Sequence, residues 1–123
     1  MIRVEQEERK GMSRESLDLF RGTLDILILK TLSRRPMHGY EIAKWITTSS
    51  EAVIQVEEGA LYPALRRLQA KGWLESEWGI SETNREVKFY TITAEGRRQL
   101  LTQEDTWARY VHAMAAVLKA AEV

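Results

Sequence analysis

The chain predicts a small α+β domain, mainly helical with one β-hairpin and a long C-terminal helix. Three observations predict it. Between Thr23 and Gly72, apolar residues recur at helical spacing in stretches broken by Pro36 and by Thr47-Thr48-Ser49-Ser50. Residues 73–78 and 86–92 then alternate apolar and polar around a polar, turn-rich loop. Beyond Thr93, the residues Leu100, Trp107, Val111, Met114 and Leu118 recur by sevens, fours and threes, the narrow seam of a helix that pairs with another helix.

Bulk properties narrow the classes. A length of 123 residues fits one domain with a single modest core. The balance of 44% hydrophobic and 29% charged residues fits a soluble globular protein rather than a disordered one. There is no cysteine, which excludes disulfides and thiolate sites and fits a reducing, cytoplasmic setting. No apolar run approaches transmembrane length, and Met1–Lys10 lacks the apolar core of a signal peptide, so no membrane partner is expected. Net charge is zero, so any nucleic-acid binding must rest on locally separated charge.

Taken in order, residues 1–12 read as a poorly ordered polar extension. Ser13 to Phe20 can form a short helix. Gly22 or Thr23 then caps a second, with Asp25 in its first turn, where the helix dipole favours negative charge. Ile26-Leu27-Ile28-Leu29 could be a strand, but the cap and the length favour a helix buried on most sides and closed by Pro36. His38 to Ile46 is a further short helix, with Ile42, Ala43 and Ile46 inward and Lys44 and Trp45 elsewhere. Thr47–Ser50 reads as its frayed end, and Val53-Ile54-Gln55-Val56 as a short strand.

The next stretch, Gly59 to Gly72, is where function is expected. On a helical wheel Leu61, Ala64, Leu65 and Leu68 share one side. Pro63, Arg66, Arg67 and Ala70 share the other, with Tyr62 on the flank. Proline is tolerated in a first turn, whose N–H groups lack helical partners, so the helix should start near Gly59 or Ala60. Gly72 should end it in the left-handed conformation. The segment carries Arg66, Arg67 and Lys71 and no acid. A short helix with a basic outer face suits a DNA major groove; the plain alternative is a solvated surface helix.

The neighbouring hairpin favours the groove. It comes directly after this helix, placed like the wing of a winged helix-turn-helix, with Arg85 and Lys88 able to reach phosphate. Trp73 and Trp78 are expected to pack the wing on the body, and Trp45 to pack its helix. Thr93 caps the last helix, with Glu95 in its first turn. That helix is read as a dimerisation element through Leu100, Trp107, Val111, Met114 and Leu118; the alternative is that it folds back on its own core. His38 and His112 stand apart, without metal-ligand spacing. No phosphate loop, nucleophile elbow or catalytic triad set is present, so no enzyme, metal or cofactor is expected.

The wording of these elements resembles the PadR family of bacterial transcriptional regulators. The resemblance is carried by Gly22-Thr23-Leu24-Asp25, His38-Gly39-Tyr40-Glu41-Ile42, Gly59-Ala60-Leu61-Tyr62-Pro63-Ala64-Leu65-Arg66-Arg67-Leu68, Gly72-Trp73-Leu74 and Lys88-Phe89-Tyr90-Thr91-Ile92-Thr93-Ala94-Glu95-Gly96, across about residues 17 to 111. The chain departs at Ala60, where the family usually carries Ser or Thr, a hydroxyl able to cap the helix or touch phosphate. The single C-terminal helix is similar to that of the compact subgroup. The resemblance implies a homodimeric repressor released by small molecules. It also implies that Trp107 sits where some compact members hold flat aromatic drugs.

The resulting expectation is a winged helix-turn-helix over residues 13–92 and a dimerisation helix over 93–123. DNA contacts are expected from Tyr40, Lys44, Tyr62, Pro63, Arg66, Arg67, Asn84, Arg85 and Lys88, on a near-palindromic operator. A small aromatic effector is expected at Trp107. The rival reading is a winged helix that binds another protein, or senses a ligand, without DNA; zero net charge and Ala60 support it.

Overall fold

The computed structural model describes residues 14–121. The expected N-terminal extension lies outside the described residues. The elements are α1 (Arg14–Leu32), β1 (Met37–His38), α2 (Gly39–Ser49), α3 (Glu58–Ala70), β2 (Leu74–Ile80), β3 (Glu86–Ile92) and α4 (Ala94–Ala121). The three strands form an antiparallel sheet in the order β1-β3-β2.

α1 is one helix, where the sequence suggests two. Gly22 costs a helix interior about 1 kcal/mol relative to alanine, but no proline interrupts the run. Beyond Gly22, Leu24, Ile28, Leu29 and Leu32 lie on one face and are almost fully buried. Thr23 and Asp25 therefore sit inside the helix rather than at its start.

The expected strand at Val53–Val56 is absent. Glu51 and Ala52 hold left-handed φ values of 54° and 65°, turning the chain back on the end of α2. Ser50 Oγ accepts the Ile54 N–H at 3.0 Å, and Val53 is 84% exposed. The short strand occurs instead before α2. Met37 pairs with Tyr90 and His38 with Phe89, a two-residue ladder too brief to show periodicity. α2 also runs on through Ser49, so Thr47 and Thr48 are helical rather than frayed.

α3 begins at Glu58, earlier than expected, so Pro63 lies in the second turn. The helix there forgoes the bond a residue at 63 would donate to the Gly59 carbonyl; Gly59 is exposed, where water can take that carbonyl. The inward face is as expected: Leu61, Ala64, Leu65 and Leu68 are buried. The C-terminus closes as a Schellman motif. Gly72 has φ of 80°, its N–H meets the Gln69 carbonyl at 3.0 Å, and the Trp73 N–H meets the Leu68 carbonyl at 3.0 Å.

The hairpin runs Leu74 opposite Ile92 to Ile80 opposite Glu86, so β2 begins one residue later and ends two residues later than expected. Its base is tied to α4. Thr93 Oγ1 accepts the Gly96 N–H at 3.0 Å, the expected cap, and donates to the Gly72 carbonyl at 2.7 Å. Gly96 lets the chain pass close: a Cβ there would fall 2.2 Å from the Trp73 carbonyl oxygen.

Leu100 is 5% exposed, within the domain's own core, because the first half of α4 packs along α1. This corrects its assignment to the dimer seam. Lys30 Nζ pairs with Glu104 Oε2 at 3.3 Å near the end of that contact. From Asp105 to Ala120 every residue of α4 is exposed. No described helix is long and apolar enough to cross a membrane.

Candidate nucleic-acid interface

α2 and α3 meet at Gly39. This glycine is buried, and the Tyr62 ring lies against it so closely that a Cβ would stand 2.8 Å from the tyrosine hydroxyl. The close approach leaves Tyr62 40% exposed on the outer side of α3, beside Tyr40, which is 70% exposed. His38, just before α2, donates its backbone N–H to Glu41 Oε1 at 3.3 Å, and Arg35 pairs with Glu41 at 3.1 Å. The His38 ring is set edge-on to Phe89 at 5.5 Å, which fixes the root of the hairpin against α2.

Between the hairpin and the outer sides of α2 and α3 runs an open trough of about 1350 Å³. Six of the expected DNA residues line it: Tyr40 and Lys44 from α2, Tyr62 and Arg66 from α3, and Arg85 and Lys88 from the hairpin. At its floor the Tyr90 hydroxyl is held above its ordinary pKa, first by burial and then by neighbouring Tyr62, with Arg66 opposing. Acids share the surface. Glu41, Glu58, Glu82 and Glu86 also line the trough, so its basic character comes from where the cations stand rather than from a large excess.

The other three expected residues are placed differently. Arg67 turns to α1, where its Nη2 lies 2.8 Å from Asp25 Oδ1. The Asp25 side chain is only 13% exposed, and burial raises its pKa against the lowering pull of Arg67 and then Lys71. Arg67 is thus a positioning residue that ties α3 to α1. Pro63 is half-buried and does not line the trough. Asn84 forms the hairpin turn, with φ of 62° and its N–H donated to the Ser81 carbonyl at 2.9 Å. Asparagine tolerates that left-handed conformation better than most residues.

Sequence reasoning misses part of the surface. Its pattern assigns Trp78 to packing the wing on the body, yet Trp78 is 63% exposed, and Ile80 beside it on the same face is 62% exposed. The period-two pattern is correct, but the hairpin extends beyond the body, so its outer inward-facing positions meet the trough instead of the core. Trp45 is 37% exposed with Arg34 stacked over its ring at 4.3 Å, and Arg35 joins the trough wall. The doublet Arg34-Arg35 before Pro36 is the available signal.

On the free half of α4, Trp107 leans on Tyr110 with ring centroids 5.7 Å apart. Val111, Met114, Val117 and Leu118 extend that apolar surface, all at least two-fifths exposed. Tyr110 and Val117 widen the seam read from the sequence.

Comparison with known proteins matches this architecture. The family model "Transcriptional regulator PadR-like family" matches residues 28–102. An uncharacterized protein of Lysinibacillus sphaericus is 32% identical over 91 residues, covering 74% of this chain and 84% of that protein. A transcriptional regulator from Clostridium thermocellum superposes with a TM-score of 0.72 at 31% identity, over 79% of this chain and 94% of that one. A PadR family transcriptional regulator from Eggerthella lenta does so with a TM-score of 0.70 at 36% identity, over 85% and 88% of the two chains. With three helices, a hairpin wing and a long terminal helix in the same order, this chain belongs to the PadR-like family of transcriptional regulators.

Proposed function

We propose that the protein is a cytoplasmic, homodimeric repressor that binds a near-palindromic operator and is released by a small-molecule effector. The observation that carries the DNA reading is the trough. It gathers Tyr62 and Arg66 of α3 with Tyr40 and Lys44 of α2 and with Arg85 and Lys88 of the wing. The outer face of α3 reads the major groove, with Arg66 the guanine-reading candidate. Lys44, Arg85 and Lys88 hold phosphates, and Tyr40 touches the backbone. Arg67 supports α3 from behind through Asp25. The unit over residues 13–92 carries DNA, and the helix over 93–123 pairs the subunits.

The dimer reading rests on the outer half of α4. Sixteen successive exposed residues, 105 to 120, form a helix with no packing partner in its own chain among the described residues. An isolated helix of that length is marginal in water. Its apolar strip of Trp107, Val111, Met114 and Leu118 fits a second copy, and a near-palindromic operator asks of that dimer two α3 helices about 34 Å apart, one turn of DNA. Paired Trp107 residues would form a flat slot edged by Glu104 and Asp105, suited to planar cationic aromatics. A ligand there releases DNA only if it prefers the non-binding spacing of the subunits.

The test is binding of a duplex from upstream of the gene, against a scrambled duplex, across a salt series. Sequence-preferring binding whose affinity falls with salt is expected. Equal, weak retention of both duplexes, with a stable complex to another protein instead, supports the rival interaction module. That rival draws on zero net charge and on Ala60, which packs against the core.

A further inference from the structure

Trp78 and Ile80 form an exposed apolar pair on the wing to which ionic contacts with DNA assign no role. Four cross-strand pairs share one face of the hairpin: Leu74 with Ile92, Ser76 with Tyr90, Trp78 with Lys88, and Ile80 with Glu86. Leu74, Ile92 and Tyr90 are buried in the body. The outer two pairs continue that face beyond the body and line the trough opposite Tyr62 and Arg66. Single exposed apolar residues are ordinary, but two adjacent ones on one face of a projecting hairpin form a contact surface.

Charge alone does not explain the wing. From Gly79 to Lys88 it carries Arg85 and Lys88 against Glu82 and Glu86. Glu86 stands directly across from Ile80 and opposes close approach of a phosphate there. What the tip has in excess is apolar surface. The Lys88 ammonium lies over the Trp78 ring at 5.4 Å, which sets one of the wing's cations beside the indole.

We propose that Trp78, with Ile80, is a specificity-determining residue: it packs on deoxyribose in the minor groove flanking the segment read by α3, and so selects DNA that deforms easily. The proposal rests on the DNA-binding function proposed for the trough. With α3 in the major groove, the phosphate backbone runs through the trough, and the wing's inner face meets the groove on its far side. Lys88 then grips the phosphate while the indole and the Ile80 side chain take the sugars. Bulky apolar side chains seated on the sugars need a widened minor groove, which costs least at flexible pyrimidine–purine steps and most in stiff, narrow-grooved A-tracts. Sequence preference thereby arises at base pairs that no side chain reads by hydrogen bonds.

The experiment uses the full chain and duplexes from upstream of its gene, with the protected segment located by footprinting. The wing-side flank is replaced by TA-rich or A-tract sequence, and affinity is measured across salt for wild type, Trp78→Ala, Trp78→Phe, Lys88→Ala and Arg66→Ala. Wild type is expected to favour the flexible flank by about tenfold. Trp78→Ala is expected to lose that preference and bind about tenfold more weakly, with an unchanged salt slope, because an apolar contact releases no counterions. Trp78→Phe should retain part of the preference. The fold tolerates these changes, since Trp78 is 63% exposed. The proposal is overturned if Trp78→Ala keeps wild-type affinity and flank preference, or if its loss comes with the reduced salt slope of Lys88→Ala. If Arg66→Ala fails while Trp78→Ala is unaffected, this proposal alone falls. If wild type prefers no duplex, the DNA reading falls and takes it along.

Discussion

Arg67 and Asp25, 42 positions apart, meet at 2.8 Å and fasten α3 to α1. The carboxyl is largely buried, and its pKa is raised even with the guanidinium beside it, so desolvation outweighs the attraction. The pair therefore sets the seating of α3 more than it adds to stability.

Removing one partner exposes that imbalance. Arg67→Ala leaves a buried carboxylate unpaired and is expected to cost about 1–2 kcal/mol at neutral pH, a buried-pair loss discounted because Arg67 is partly exposed. The Asp25 pKa should rise further. A carboxyl with a folded pKa above its unfolded value opposes folding when ionised, and the penalty is relieved as pH falls through the folded pKa. Acidification from neutral pH toward the ordinary carboxylate range should thus restore part of the loss in Arg67→Ala, relative to wild type. Denaturant titrations at neutral pH and in that range check this. A variant that also carries Asp25→Asn should show no such recovery, and an equal recovery there would remove Asp25 as the cause.

Gly39→Ala should separate stability from binding. Alanine is the better helix former by about 0.5–1 kcal/mol. Its Cβ would stand 2.8 Å from the Tyr62 hydroxyl, the far end of a side chain 40% exposed and able to swing out. The thermal midpoint should change by only a few degrees, while operator affinity falls because Tyr62 leaves the trough. A large drop in the midpoint would show that Tyr62 cannot move.

Gly96→Ala should behave in the opposite way. There the added Cβ meets the Trp73 backbone carbonyl at 2.2 Å and the Ile92 side chain at 2.8 Å, and no flexible end is available to yield. A loss of about 3 kcal/mol is expected from the forced shift of the wing base against α4. Wild-type stability in urea would mean that the wing base yields easily at this contact.

On DNA, Arg66→Ala and Lys88→Ala should differ in kind. If Arg66 is bidentate to guanine, its loss costs about 1–3 kcal/mol and relaxes specificity at one position. Loss of Lys88 weakens all sequences alike and lowers the salt slope by about one unit. Binding of the native promoter unchanged in both variants would place the interface elsewhere.

The free half of α4 gives the last prediction. Val111→Glu with Leu118→Glu places carboxylates in the expected subunit seam, at a cost of several kcal/mol to association. Sedimentation should show monomers that no longer hold the operator. Monomeric wild type at tens of micromolar would end the dimer reading.

The sequence by itself determined what depends on near neighbours. The apolar face of α3, the Schellman end at Gly72, the two alternating strands and the Thr93 cap all rest on spacings within a few residues. Six of nine expected DNA residues reached the trough because they stand on those locally specified faces. Tertiary structure decided the rest. Nothing near Gly22 says that α1 continues through it. The β1 ladder exists only because β3, about fifty residues on, offers an edge. Leu100 fits a helical seam equally well inside or outside the domain, and the position of α1 buried it. Arg67 and Arg66 are adjacent on one helix, yet one is held by Asp25 and the other faces the trough. Period-two spacing cannot tell where a sheet leaves its core, and that boundary left Trp78 in the trough. In each case the deciding partner is remote in sequence, so local periodicity holds no record of it.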